Sequence, residues 1–384
     1  MFKSFKYRIY PTDSQKELIH KHCGSARFIY NLALETKQMA YAGNKVNLTC
    51  FELIKQLPEL KKELPWLKDC NSQSLQAPIR NLDNAFTKFF KGQADFPVFK
   101  KKSNKGSFNI PQNVILSDEV LVIPKFREGI KIKIHRDYYG KIKSATISYT
   151  STGKYFVSIL CDTEEEKPSK PKITEESSVG IDLGIKDFIV SSEAQVFDNP
   201  KYLRKSEKRL KFLQRKYSKH KGKRTKLKLA KLHEKVANQR KDFLHKVSKE
   251  LIKNHDTICT ETLQVRNMLK NHNLAKSISD AGWGMFMTML EYKSEWYGKN
   301  LIKIGTFEPS SKTCGNCGLI NKDLQLKDRE WTCKSCSTIL DRDLNAACNI
   351  KNFALRNYVS GTDTENQNEL PTLVGVLTSE TNTL

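Results

Sequence analysis

Residues 178–192, SVGIDLGIKDFIVSS, contain two short apolar runs separated by a glycine turn, with one aspartate inside the first run. Apolar runs of about four to eight residues bounded by turn residues predict buried strands. Asp182 is out of place in such a strand, because strand interiors disfavour aspartate and an unpaired buried carboxylate is costly. A divalent cation would compensate for this charge, whereas a turn aspartate at a strand end would need no such partner. This stretch alone leaves both interpretations open.

Further acidic residues follow at the ends of other predicted elements. Glu261 falls in TICTETL, residues 257–263, a mostly apolar and β-branched run that predicts another strand. Asp341 and Asp343 open an amphipathic helix, where either one could be an ordinary N-cap. Taken together, the order of strand with Asp, strand with Glu and helix with Asp is typical of an RNase H-like α/β domain. Such a domain gathers three carboxylates at one end of its sheet, and oxygen ligands of this kind suit Mg²⁺.

The cysteines just before the last of these acids form two C-x-x-C pairs. Cys314 and Cys317 make the first pair, and Cys333 and Cys336 make the second after fifteen intervening residues. In a reducing compartment this spacing predicts a zinc ribbon with four thiolate ligands, and the glycines at 315 and 318 allow tight turns. Four cysteines complete the tetrahedral coordination of zinc. We therefore expect the zinc to be structural, with no open position for a substrate.

The charge of the chain predicts the class of partner. Its 384 residues include 66 Lys or Arg against 42 Asp or Glu, a formal net charge of +24 at pH 7, which favours a polyanion. Residues 201–253 alone hold 21 basic and 4 acidic side chains, with leucines at helical spacing, and predict a basic helical hairpin. A solvated helix face is the alternative, which this concentration of charge disfavours. The side chains predicted to bind nucleic acid are Lys205, Lys208, Arg209, Arg215, Lys219, Lys223, Arg224 and Lys228.

The rest of the chain divides by its hydrophobic period. Alternating segments after residue 105 predict strands, and they combine with an N-terminal strand into a β-barrel-like domain that a helical segment interrupts. A charged segment with two prolines marks a linker before the α/β domain. We predict the β-barrel at 1–11 and 105–162, the helical insertion at 12–104, the linker at 163–177, the α/β domain at 178–308 and 338–358, the zinc ribbon at 309–337 and a disordered tail at 359–384.

Six segments occur along the chain in a characteristic order: YRIYPTDSQKELI, GIDLGI, ETLQVRNM, GWGMFMTMLEYKSEWYGK, PSSKTCGNCG and DRDLNAACNI. In this order they resemble the TnpB (OrfB) proteins encoded by bacterial and archaeal insertion sequences, which are related to the type V CRISPR effector nucleases. The resemblance covers nearly the whole chain apart from the acidic tail. It implies an α+β multidomain protein with a RuvC-type nuclease domain, an inserted zinc ribbon, and a wedge-like β-barrel that contains a helical recognition insertion.

The resemblance also implies the chemistry and the partners. The family's three catalytic acids fall on Asp182, Glu261 and Asp343, rather than on Asp341, and would hold Mg²⁺, with two ions as one possibility. A guide RNA made from the end of the mobile element would direct cleavage of double-stranded DNA beside a short element-adjacent motif. Thr262 departs from the family, many of whose members have Asp after the glutamate. The sequence thus predicts an Mg²⁺-dependent endodeoxyribonuclease with structural zinc.

Two other functions stay open at this stage. One is a nuclease-silent, RNA-guided DNA-binding regulator, which the presence of all three acids disfavours. The other is a transposase acting directly on element-end DNA, which an RNase H-like fold also permits. A polar N-terminus and the lack of a long apolar run predict an intracellular protein without membrane contact, and the resemblance implies a cytoplasmic, nucleoid-associated protein of a prokaryote. Candidates for reading the adjacent motif lie near Tyr7, Tyr10, Phe99 and Lys100.

Overall fold

The computed structural model describes residues 1–117, 119–325 and 327–359. These residues form two compact α+β units, of which the first ends at Glu166 and the second begins at Lys167. None of the helices in the described ranges combines the length and the apolar character that a membrane span requires. Apart from Val359, the tail predicted at 359–384 lies outside the described residues. The assignment of functional domains within the two units stays a prediction.

The first unit begins with a strand, continues through helices and ends in a run of strands. The first helix begins at a capping box, because the Thr12 hydroxyl accepts from the Gln15 amide at 3.3 Å and Gln15 Oε1 accepts from the Thr12 amide at 3.0 Å. The elements are β1 (Phe2–Tyr10), α1 (Asp13–Asn44), α2 (Cys50–Lys55), α3 (Leu57–Glu63), a 3₁₀ turn (Pro65–Asp69), α4 (Ser72–Phe90), β2 (Gly106–Ile110), β3 (Ile115–Leu116), β4 (Val120–Ile123), β5 (Phe126–Lys133), β6 (Lys141–Tyr149) and β7 (Tyr155–Asp162).

The prediction of a β-barrel is wrong for the described residues, whose strands form an open sheet. Seven strands pair in the order β2-β6-β7-β1-β5-β4-β3, so β2 and β3 are edges. Closure requires hydrogen bonds between the first and last strands. The edge strand β3 has only two residues, and the pairing of β4 with β5 shifts register between Leu121 and Ile123. This edge therefore offers few backbone groups for the hydrogen bonds that would close a barrel. Instead, α1 covers the apolar face of the sheet with Ile19 and Cys23.

The side chains of this sheet also correct one candidate for motif reading. Tyr7 is fully buried, and its hydroxyl donates to the carbonyl oxygen of Arg136 at 3.0 Å. The Tyr7 side chain therefore belongs to the hydrophobic core and cannot contact a DNA duplex in this structure. Tyr10, on the other hand, is 49% exposed, and the Lys100 ammonium lies 3.9 Å from the centre of the Tyr30 ring.

The second unit contains a mixed five-stranded sheet, a helical hairpin and a small two-stranded sheet. The order of the large sheet is β10-β9-β8-β11-β12, in which β8, β11 and β12 run parallel to one another and β9 runs antiparallel to β8 and to β10. The elements are β8 (Ser178–Leu183), β9 (Asp187–Ser191), β10 (Val196–Asp198), α5 (Tyr202–His220), α6 (Lys223–Asn254), β11 (Thr257–Glu261), α7 (Val265–Met268), α8 (His272–Ala281), α9 (Trp283–Tyr297), β12 (Asn300–Ile304), β13 (Glu330–Thr332), β14 (Ile339–Asp341) and α10 (Arg342–Val359).

Helices cover both faces of this sheet, as parallel strands require. One face presents Val179, Ile181 and Ile258 to a core shared with α6, α8 and α9. Because side chains alternate along a strand, the opposite face presents Cys259 and Ile302, which pack with residues of α10. The strand positions that bear acids point to this second face, the side on which α10 lies.

Candidate active site and zinc centre

Asp182 and Glu261 lie side by side at the carboxyl ends of two parallel strands. The register pairs Thr257 with Ser178 and continues to Thr260 with Ile181, so Glu261 and Asp182 are the next residues on each strand. Both fall on the face that α10 covers, since Asp182 is two residues after Gly180 and Glu261 is two residues after Cys259. The hydrophobic pattern that makes these segments strands therefore also brings the two acids to one edge of the sheet.

Gly180 allows the third acid to approach them. A Cβ atom on Gly180 would lie 2.1 Å from the Ala347 carbonyl oxygen and 2.8 Å from the Lys351 amide nitrogen. The backbone of α10 therefore crosses β8 at a distance that only glycine permits. Asp343 lies four residues before Ala347, one helical turn along the same face of α10. It is thereby placed toward the carboxyl end of β8, where Asp182 lies.

The electrostatics of Asp182 reflect this grouping. Burial is the largest cause, and together with the negative charges of Glu261 and Asp343 it raises the pKa of Asp182 to about 7. The positive charge of Arg342 and a hydrogen bond from the Leu183 amide act in the opposite direction. The three predicted acids thus interact electrostatically at one site.

Two of the acids are also hydrogen-bonded to neighbouring side chains. Asp343 Oδ1 lies 2.6 Å from Arg342 Nη2, and its Oδ2 lies 3.0 Å from Arg329 Nη1. Glu261 Oε1 accepts a hydrogen bond of 2.5 Å from the Ser310 hydroxyl. In this conformation the ligand oxygens of the three acids do not all lie within 4.8 Å of one another, and among the described residues only the four cysteines meet that spacing.

The neighbours that the sequence left ambiguous have structural roles. Asp341 is the N-cap of α10, because its Oδ1 accepts from the amides of Asp343 at 3.0 Å and Leu344 at 2.8 Å. The Thr262 hydroxyl donates to the Ile304 carbonyl oxygen at 2.7 Å and so ties the end of β11 to β12. The carboxylate of Asp341 is therefore occupied as a cap, while the charge of Asp343 acts on Asp182.

The four cysteines converge into one cluster between β12 and α10. Their sulfur atoms all lie within 4.8 Å of one another, with 3.7 Å between Cys314 and Cys336 and 3.5 Å between Cys317 and Cys333. A tetrahedral zinc with bonds of about 2.3 Å places its sulfur ligands about 3.8 Å apart, so the cluster fits that ion. Gly318 adopts a left-handed conformation with φ of 78°, as the tight-turn prediction requires.

The basic hairpin consists of α5 and α6, which meet at Lys221 and Gly222. Asp280 of α8 fixes its start, because its carboxylate accepts from the amides of Leu203 at 3.0 Å and Arg204 at 3.2 Å and pairs with Arg240. All eight side chains predicted to bind nucleic acid are exposed, and within the described ranges none has an acidic ion-pair partner. The hairpin therefore presents free positive charge to solvent.

Sequence reasoning missed the residues that connect these features. Gly180, Ser310, Asn345 and Asn349 were all inside the motifs quoted above, but only the structure places Ser310 on Glu261. A usable signal was the spacing of Asn345 and Asn349, since residues four apart share one helix face. Both side chains are buried, at 5% and 3% exposure, and buried amides require hydrogen-bonding partners.

Comparison with known families gives matches along most of the chain. The OrfB_IS605 family, described as "Probable transposase", matches residues 158–272. The "Cas12f1-like, TNB domain" matches residues 283–350, which include the four cysteines and Asp343. A "Helix-turn-helix domain" of the same OrfB type matches residues 1–45, where the structure has β1 and the uninterrupted helix α1.

Individual proteins match over a longer span. A "Putative RNA-guided DNA endonuclease" of Streptomyces pristinaespiralis is 38% identical over 359 residues, which cover 91% of this chain and 88% of that protein. The "Putative RNA-guided DNA endonuclease InsQ" of Escherichia coli K12 is 32% identical over 373 residues, which cover 91% of each chain. In fold, the chain is similar to Cas12f1 in a solved complex with sgRNA and target DNA, at a TM-score of 0.59 and 14% identity over 91% of this chain and 98% of that one. The chain belongs to the OrfB (TnpB) family of insertion-sequence proteins.

Proposed function

We propose that this chain is the RNA-guided DNA endonuclease of an insertion element and cleaves double-stranded DNA beside a short element-adjacent motif. The observation that carries the proposal is that Asp182 and Glu261 end adjacent parallel strands and that the charge of Asp343 acts on Asp182. The names of its full-length relatives and its membership of the OrfB family support the same activity.

The nuclease domain is proposed to be of the RuvC, or RNase H-like, type. Its support is the strand arrangement, in which β8, β11 and β12 run parallel and, on the other side of β8, β9 and β10 each run antiparallel to the strand before them. Two acids at adjacent strand ends and a third on a covering helix match the arrangement that such domains use. The insertion of the zinc-binding segment immediately before α10 matches the family order as well.

Asp182, Glu261 and Asp343 are proposed to hold Mg²⁺, two ions being the arrangement that phosphodiester hydrolysis favours. The donor set fits, because Mg²⁺ prefers carboxylate oxygens and the negative charges of Glu261 and Asp343 both act on Asp182. Bound cations would supply Lewis-acid stabilisation of the attacking and leaving oxygens of an in-line displacement. Before Asp343 can serve as a ligand, its carboxylate must exchange its contacts with Arg329 and Arg342.

The remaining features are proposed to bind nucleic acid or to support the fold. The exposed basic residues of α5 and α6 contact phosphates of RNA or DNA, so their binding is insensitive to base sequence and weakens with salt. The sequence of the target DNA is recognised by base pairing with the guide RNA, as in other RNA-guided nucleases. The four cysteines bind a structural zinc that stabilises residues 309–337.

The test begins with purification of the protein from cells that also express its native flanking DNA, followed by sequencing of any RNA that co-purifies. A discrete RNA with a defined 3′ guide region is expected, and the complex should cut a matching duplex when Mg²⁺ is added. Asp182→Asn should abolish cleavage but retain RNA binding, whereas Asp198→Asn, at an exposed position of β10, should cut like the wild type.

Three results would contradict the proposal. Full cleavage by Asp182→Asn would remove the acids from the mechanism. Heterogeneous or absent RNA, together with cleavage or joining of element-end DNA by the protein alone, would identify a transposase instead. If the wild-type protein with its guide RNA bound the target DNA but did not cleave it, the protein would be a regulator instead.

A further inference from the structure

Ser310 contacts Glu261 from a segment that belongs to neither strand of the acid pair. Its hydroxyl donates to Glu261 Oε1 at 2.5 Å, and Ser310 is only 5% exposed. Glu261 has three rotatable side-chain bonds, so the strand alone fixes its Cα position and not the orientation of its carboxylate. The hydrogen bond engages one carboxylate oxygen and leaves the second one available.

Two asparagines of α10 hold the segment that contains Ser310. Asn349 Nδ2 donates to the carbonyl oxygens of Ser310 and Thr313, each at 2.7 Å, and Asn345 Nδ2 donates to the Thr313 carbonyl oxygen at 2.8 Å. Asn345 Oδ1 also accepts from the Gly315 amide at 2.9 Å. We call this pair, Asn345 and Asn349, the asparagine clamp. The clamp gives both buried amide nitrogens hydrogen-bond acceptors and joins α10 to the residues on each side of Cys314.

Gly315 shows how close this contact is. A Cβ atom there would lie 2.9 Å from Asn345 Oδ1 and 3.4 Å from Asn349 Oδ1, so a larger residue would separate the clamp from the first C-x-x-C turn. The reason for glycine at this position is therefore room for the clamp, because Gly315 is not among the residues with positive φ. The zinc ligand Cys314 and the acid contact Ser310 are thus fixed to the same two side chains.

We propose that Ser310 is a positioning residue for Glu261, and that the asparagine clamp makes its position depend on the zinc-binding segment. The proposal rests on the proposed function only in taking Glu261 as a metal ligand. Residues that hydrogen-bond to metal ligands fix the orientation of those ligands, and their loss typically lowers metal affinity or activity by about 10- to 100-fold. Zinc and catalytic metal would then be coupled through protein contacts alone.

The experiment measures the affinity of the zinc-loaded protein for Mn²⁺ by electron paramagnetic resonance, after nucleic acid has been removed at high salt. Ser310→Ala is expected to weaken Mn²⁺ binding by about 10- to 100-fold with the zinc content and Tm of the wild type. Ser311→Ala, which removes the neighbouring hydroxyl, should bind Mn²⁺ normally. Asn349→Leu is expected to weaken Mn²⁺ binding as well, and provides a second route if Ser310→Ala is poorly folded.

A double-mutant cycle separates positioning from a general effect on the fold. Once Glu261→Ala has removed the carboxylate, adding Ser310→Ala should change Mn²⁺ affinity little further, because the two residues act through one contact. Unchanged Mn²⁺ affinity in Ser310→Ala, or an equal loss with and without Glu261, would overturn the proposal. A wild-type complex that binds Mn²⁺ at Glu261 but never cuts guided DNA would refute the proposed function and leave the positioning role standing.

Discussion

Gly180→Ala is the substitution whose effect the structure defines most closely. The added methyl carbon would lie 2.1 Å from the Ala347 carbonyl oxygen, 2.8 Å from the Lys351 amide nitrogen and 2.9 Å from Lys351 Cβ. Non-bonded heavy atoms in a packed interior approach to about 3.5 Å. Two of the three contacts are with backbone atoms, so rotation of a side chain cannot relieve them. The helix α10 must therefore move away from β8 by roughly 1 Å or more.

This displacement affects both stability and cleavage. Overpacking of a well-packed core costs about 1–3 kcal/mol, and each kcal/mol lowers Tm by about 2–4 °C in a unit of some 150–250 residues. We therefore expect Tm to fall by about 2–12 °C. Asp343 moves with α10 while Asp182 stays on β8, and a misplacement of about 1 Å in an active site can cost about 100-fold in rate. Guided cleavage should fall by that factor.

Thermal unfolding and single-turnover cleavage by the guide-loaded complex measure the two effects. Gly284→Ala is the matched control, because a Cβ built there has nothing within 4 Å beyond its chain neighbours and the backbone of its own helix, α9. Alanine at a helical position open to solvent should raise stability by about 0.4–1 kcal/mol and leave cleavage unchanged. If Gly180→Ala unfolded and cut like the wild type, the close approach of α10 to β8 would not be what places Asp343.

Three other perturbations test separate features. Burial lowers the pKa of Lys293 to about 8, whereas its ordinary pKa is 10.5, so between these pH values the unfolded chain binds more protons than the folded one. Stability should therefore rise between about pH 8 and 10.5, and Lys293→Met should flatten this dependence in thermal melts. Cys333→Ser should reduce bound zinc from about one ion per chain to none by metal analysis and lower Tm, and retention of zinc would contradict the ribbon assignment. Replacing Lys205, Lys208 and Arg209 together by Gln should weaken the binding of RNA of any sequence, and the slope of log affinity against log salt concentration should fall by about 2–3. An unchanged slope would exclude these side chains as phosphate contacts.

The features that could be predicted from the sequence depend on local geometry. The C-x-x-C turns each bring two sulfur atoms together within four residues, and the structure brings the two pairs into one cluster. The acid-bearing strands could be recognised because Asp182 and Glu261 interrupt runs that are otherwise apolar and buried. The basic hairpin could be predicted from its leucine spacing, and the structure places its tip at residues 221 and 222.

The open sheet of the first unit could not be predicted, because closure depends on pairing between strands distant in sequence. Alternating patterns in β2 to β7 predict strands and their inward faces, but a barrel and an open sheet covered by a helix bury those faces equally well. The N-terminal half of α1 packs Ile19 and Cys23 against the inner face of the sheet. This packing depends on tertiary contacts, which the local sequence pattern does not specify. The buried side chain of Tyr7 follows from the same packing, since its strand, β1, lies in the centre of the sheet.

Chain order explains why the zinc ligands stand just upstream of the third acid. The last ribbon strand, β14, ends at Asp341 and α10 begins at Arg342, so no loop separates them. Asp341 caps the helix, and the charge of Asp343, two residues later, acts on Asp182 of β8. The asparagine clamp then holds the first cysteine turn against the same helix. Any movement of the zinc-binding segment must therefore move either the start of α10 or the segment that contains Ser310, and each of these contacts a different acid of the site.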